Sequence, residues 1–243
     1  ALHYWRQGDY QDKYPFTLRT NPNTLAQKIK YRIGLLKVKL KTNKNYFDSG
    51  IYWSKAIIPE IKNQLNNGCK NVIVSTAPFS LAAEVIQLKK EYPEVLFWVD
   101  FRDPWTTNKM AYGFQTISGK RFLKEKEDEQ IVCNEYHIIT TVADDMTAYF
   151  AKLSTTNNTF FTLKNGFDTD DFKTIAKSVP RNTNTQKQIS LLFAGSFYLK
   201  AMPIFKYFIA ALDFLKKQHS EIYNSFIFEF KGSVPQAIIQ LAK

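Results

Sequence analysis

From residue 71 onward, short apolar runs alternate with longer amphipathic stretches, and that alternation is the strongest constraint on what this chain can become. The runs NVIVSTAPF (71–79), VLFWVDFRDPW (95–105), HIITTV (137–142) and FFTLKNGFD (160–168) each read as a strand leaving a core. Between them, SLAAEVIQLKKEYP, SGKRFLKEKEDEQIVCNEY and ADDMTAYFAKL read as helices. Near-continuous apolar strands separated by helices of about ten residues or more specify an α/β fold with a parallel sheet covered on both faces.

Two further stretches precede that rhythm. Leu25, Ile29, Ile33, Leu36 and Leu40 recur at helical spacing, so a helix with one apolar stripe is expected over 24–41. GIYWSKAIIPEIKNQLNNG reads as a second helix, bent or begun at Pro59 and ended by Asn67-Gly68. Residues 173–188 are polar without an apolar period and read as an interdomain connection. The rhythm then restarts with ISLLFAGSF, AMPIFKYFIAALDFLKKQH, SFIFEFKGS and PQAIIQLAK. Two domains are therefore expected, 1–180 and 181–243. The second holds only the start of a doubly wound sheet and is expected to be truncated.

Charge is concentrated. The net charge is +11, and residues 19–45 carry eight lysines and arginines and no acid. A single basic segment points to one local surface, whereas nucleic-acid binding would call for a basic-aromatic strand motif or a helix-turn-helix, and neither is present. Two well-separated cysteines suggest a reducing compartment, and three scattered histidines suggest no metal site.

In an open parallel sheet, ligands bind beyond the carboxyl ends of the strands. Those tips carry Ser75, Thr76 and Pro78; Asp100, Arg102 and Asp103; Asn165, Gly166 and Asp168; and Gly195, Ser196 and Lys200. Each also has a plain structural reading. The Asp-Arg-Asp tip can be an ion-pair network, and Asn165-Gly166 can be a turn using left-handed backbone. Their recurrence at successive strand ends is what favours a cleft.

Together, STAP (75–78), VDFRDPWT (99–106), IITTVADDM (138–146), NGFDTDDF (165–172) and LLFAGSFY (191–198) resemble the bacterial family 4 glycosyltransferases, in particular the branch with a D-F-R-D-P-W signature. Asp48 and Trp53 fit the same branch, and the resemblance runs from about residue 46 to 200. It implies a GT-B type fold, a Rossmann-like acceptor-side domain followed by the beginning of a Rossmann-like nucleotide-sugar domain. The implied activity is retaining transfer of a sugar from a nucleotide-sugar to a glycan or lipid-linked acceptor in cell-surface polysaccharide synthesis, with no metal or other cofactor.

The resemblance places Asp100, Arg102 and Asp103 toward the transferred sugar or acceptor as the catalytic set. Ser75, Thr76 and Pro78 fall on the acceptor side, and Asn165, Gly166, Gly195, Ser196 and Lys200 on the donor side. The family's strand-tip histidine is replaced here by Arg102-Asp103. A first strand with a glycine-rich loop and an E-x7-E pair would lie outside these 243 residues. The basic helix, through Lys28, Lys30, Arg32, Lys37, Lys39 and Lys41, is expected to touch an anionic membrane from the cytoplasmic side; the alternative is a surface helix packing its stripe on the domain. A sugar-nucleotide 2-epimerase on the same fold and a non-catalytic basic binding module are the competing functional readings.

Overall fold

The computed structural model describes residues 3–4, 22–41, 49–108, 119–176, 189–197 and 202–241. The chain divides into two compact units, Ala1–Phe167 and Asp168–Lys243. The boundary expected at 180/181 falls in 177–188, outside the described residues.

The first unit holds α1 (Leu25–Lys41), a 3-10 turn (Ser49–Tyr52), α2 (Ser54–Asn66), β1 (Asn71–Thr76), α3 (Phe79–Val85) continued by a 3-10 stretch, β2 (Leu96–Phe101), α4 (Gly119–Glu135), β3 (Ile138–Thr141), α5 (Asp144–Leu153) and β4 (Thr159–Thr162). Its strands are all parallel and stand in chain order, β1-β2-β3-β4. The fold is thus α/β with a parallel sheet.

α2 begins at Ser54 and runs through Pro59, so the proline neither starts nor ends it. Ile57, Ile61 and Leu65 recur every four residues and are buried, whereas Pro59 lies on the exposed side. The helix ends where Asn67-Gly68 was expected to end it. Gly68 takes φ 95°, its N–H reaches Leu65 O at 3.0 Å, and Cys69 N–H reaches Gln64 O at 3.1 Å. That pair of bonds is a Schellman motif, and the left-handed residue at its centre favours glycine.

The sheet is not covered evenly. Right-handed crossovers that all step in one direction lay every linking helix on one face. On that face Val74, Phe97, Val99, Phe101 and Ile139 are buried in one core with Phe79, Val85, Val132 and Phe150 from the helices. On the opposite face Ile73 remains 57% exposed, and Leu96 and Phe161 are also exposed. Two covered faces were expected, but among the described residues the helices pack on one. Strand periodicity reports how apolar a strand is, but the order of strands decides where its helices go.

The second unit holds α6 (Thr169–Ala176), β5 (Ile189–Ala194), α7 (Met202–Gln218), α8 (Ser220–Ser225), β6 (Phe226–Lys231) and α9 (Gln236–Leu241), with β5 and β6 parallel. The connection expected from residue 173 is helical up to Ala176. Asp168 caps that helix, its Oδ1 accepting the Asp170 N–H at 2.8 Å, and Asp170 and Asp171 favour its positive end. Phe205 is buried in a ring cluster with Phe197, Phe208 and Phe230.

At the tips of β5 and β6 two glycines meet. Gly195 and Gly232 have φ of 142° and 135°, and a Cβ on Gly232 would collide with the Gly195 carbonyl. Gly232→Ala should destabilise this unit by about 1–3 kcal/mol, seen as faster amide exchange across 226–231. Gly166 has no positive φ, and nothing lies within 4 Å of a Cβ built there. Gly166→Ala should therefore stay within about 0.5 kcal/mol of the parent protein.

Candidate functional site

The register of the sheet assembles the site. β1, β2 and β3 place Ser75 beside Asp100 and Asp100 beside Thr140, on the open face near the carboxyl ends of the strands. Asp100 accepts from Thr140 Oγ1 at 2.7 Å and from Ser75 Oγ at 3.4 Å. Thr140 in turn accepts the Trp98 indole N–H at 2.9 Å, which fixes the hydroxyl toward the carboxylate. Asp100 thus receives oriented donors and stays largely shielded from solvent.

Arg102 leaves the tip of β2 and crosses to the tip of β4. Its Nη1 pairs with Asp100 at 3.4 Å and donates to the Leu163 carbonyl at 3.3 Å, while Nη2 donates to Asn165 Oδ1. The guanidinium therefore joins the chain after β2 to the chain after β4, some sixty residues later. Asp103 lies half-buried in the same loop, and Gly166 follows Asn165 on exposed backbone. The left-handed turn read for Asn165-Gly166 does not form. The arrangement holds Asn165 through its side chain instead.

The residues that hold this loop are the ones sequence reasoning missed. Trp105 is fully buried and stacks on Phe79, with ring centroids 5.2 Å apart and planes 9° apart. Its indole N–H donates to Glu125 Oε2 at 2.7 Å, and Arg121 closes on the other oxygen of that carboxylate. One turn along α4, Glu129 accepts the Thr106 backbone N–H at 3.0 Å and its hydroxyl at 2.5 Å, and also Tyr149 OH at 3.0 Å. Both glutamates are buried. Buried carboxylates persist only where hydrogen bonds satisfy them, and here the loop supplies those bonds. The indole after the charged tip is the anchor, while Asp100 and Arg102 pair at the strand tips. The sequence signal was the EKEDE run, where Glu125 and Glu129 share one helix face with Val132 and Cys133.

On the acceptor-side set, Thr76 is buried, and its hydroxyl donates to the Asp100 carbonyl at 3.4 Å. Pro78 caps α3. Ser75 and Pro78 also line a cavity of about 1100 Å³ along β1 and α2, together with Trp53, Ile57, Leu65 and Leu81. Asp48 and Lys200 lie outside the described residues, as do the side chains of Lys39 and Lys41. Gly195 and Ser196 belong to the second unit, where the Gly195 N–H donates to Lys231 O at 2.8 Å and a Cβ on Gly195 would meet open space. Among the described residues no group of three or more His, Cys, Asp or Glu is placed to hold a metal ion.

Burial pushes the Glu129 carboxyl above its ordinary 4.5, against the opposing pull of the Thr106 and Tyr149 hydrogen bonds. Burial also raises Tyr149 to about 12, so it remains a hydroxyl donor. With its folded pKa raised, Glu129 holds a proton more tightly in the folded chain than in the unfolded one. Its contribution to stability is complete below 4.5 and is lost as pH rises through the folded value. Glu129→Gln keeps the shape and cannot ionise. The urea midpoint of the parent protein should therefore fall relative to that of Glu129→Gln as pH rises above 4.5, and parallel curves would contradict this assignment.

Comparison with protein-family models, with curated proteins and with solved structures found no match for this chain.

Proposed function

We propose that this chain is a glycosyltransferase of the GT-B type, related to the family 4 branch with the D-F-R-D-P-W signature. The first unit would hold the acceptor and the second would bind the nucleotide-sugar. The observation that supports this reading best is the hydrogen-bonded set of Ser75, Asp100, Arg102, Thr140 and Asn165 at the carboxyl edge of the parallel sheet.

Its chemistry suits hydroxyl groups. Asp100 and Arg102 neutralise each other, and Asp103 adds a negative charge nearby, so this edge offers acceptors and donors without a surplus of cations. A polyhydroxylated ligand needs such alternating partners, whereas a diphosphate needs net positive charge or converging backbone N–H groups. By the resemblance, the diphosphate of the donor would fall to Gly195, Ser196 and Lys200. In transfer, Asp100 would accept the hydrogen bond of the attacking hydroxyl and Arg102 would donate to the other oxygens of the acceptor. The hydroxyl oxygen would bond to the anomeric carbon as the bond from that carbon to the diphosphate oxygen breaks; the diphosphate would leave with the electron pair and take up the hydroxyl proton.

The test is turnover by the protein with a panel of nucleotide-diphosphate sugars and a membrane-lipid extract as acceptor, following release of nucleoside diphosphate. Acceptor-dependent release with one donor is expected. Asp100→Asn and Arg102→Ala should each lower it by about a hundredfold or more while leaving the thermal midpoint within a few degrees. Equal activity in both variants would reject these roles. No turnover with any donor would reject the reading itself.

A further inference from the structure

α1 turns its apolar stripe away from the protein. Leu25, Ile29, Ile33, Leu36 and Leu40 are 53–76% exposed, whereas Val38 is buried and Tyr31, Gly34 and Leu35 are half-buried. At about 100° per residue, the stripe covers an arc of about 80°, and Gly34, Val38 and Tyr31 sit on the opposite side of the helix. The stripe is thus not what holds the helix to the domain. Among its described side chains Val38 alone is buried, and five large aliphatic side chains are left outward.

The cations are distributed to match. On the same projection, Lys28 and Arg32 flank the stripe on one side and Lys30 and Lys37 on the other, at about 60–100° from its centre. All four are exposed, and the helix carries no acid in its first turn or anywhere in its sequence. An apolar ridge between two basic rows fits a surface that is anionic at the headgroups and hydrocarbon beneath. Nucleic acid would use the basic rows and leave the ridge in water. No described helix is long and apolar enough to cross a membrane, so the fit is to a surface.

We infer that α1 docks on anionic lipid, its Leu/Ile ridge embedded below the headgroups and its lysines and arginines between phosphates. This inference stands apart from the glycosyl-transfer reading, because nothing in it depends on a sugar donor.

The experiment is co-sedimentation of the full chain with phosphatidylcholine vesicles, with and without phosphatidylglycerol, beside two triple variants. One variant reverses charge (Lys28→Glu, Arg32→Glu, Lys37→Glu); the other removes the ridge (Ile29→Ser, Ile33→Ser, Leu36→Ser). The parent protein should sediment with phosphatidylglycerol vesicles and stay soluble with pure phosphatidylcholine. Each variant should bind about tenfold more weakly or worse, with an unchanged thermal midpoint. Four results would overturn the inference. These are parent protein that ignores anionic vesicles, a ridge variant that binds like the parent, a lowered midpoint in the ridge variant (which would place the stripe in the fold), and preferential binding of an oligonucleotide that only the charge variant loses.

Discussion

Two carboxylates buried one turn apart on α4 hold the segment that follows β2. Glu125 takes the Trp105 indole, and Glu129 takes the backbone N–H and hydroxyl of Thr106. Removing either partner would leave a buried carboxylate short of donors, a loss of about 1–3 kcal/mol per unsatisfied group and more when it is charged. The loop and the helix therefore specify each other. Trp105 lies flat on Phe79, so the anchor also ties the loop to α3 and to the main core. With Trp105 and Thr106 fixed, Arg102 leaves the strand in one direction, toward Asp100 and Asn165.

The one-sided sheet explains why the polar row stands where it does. Alternate residues on a strand face opposite ways, so the strands that send Val99 and Phe101 into the core send Trp98 and Asp100 to the other side. With no covering helix among the described residues on that side, the row is open near the strand tips, while Thr140 is buried beneath Asp100 and Trp98. Trp98 and Phe161 lie beside it with ring centroids 6.3 Å apart. An apolar wall next to convergent polar groups is the usual make-up of a small-molecule site.

α1 shows how a helix can have two apolar faces of different purpose. Val38 and Leu35 lie on the inner side, and the larger aliphatic stripe lies outward. Reading the stripe as the packing face is the natural inference from periodicity, because a soluble helix usually buries its widest apolar arc.

Local rules written into the sequence were enough for the elements. Apolar runs, helical spacing, and Asn67-Gly68 as a stop placed the strands and helices of both units nearly where they stand. The strand tips, with Asp100, Arg102 and Asn165, were legible for the same reason, since a tip is a local event. The partners of those tips were not. That Arg102 reaches Asn165, that Thr140 turns to Asp100, and that Glu125 and Glu129 bury themselves beneath the loop all depend on register and on contacts between residues distant in the chain. The uncovered sheet face and the outward stripe of α1 depend likewise on strand order and helix placement, which no single segment encodes. Periodicity says that a face is apolar; only the packed chain decides what that face meets.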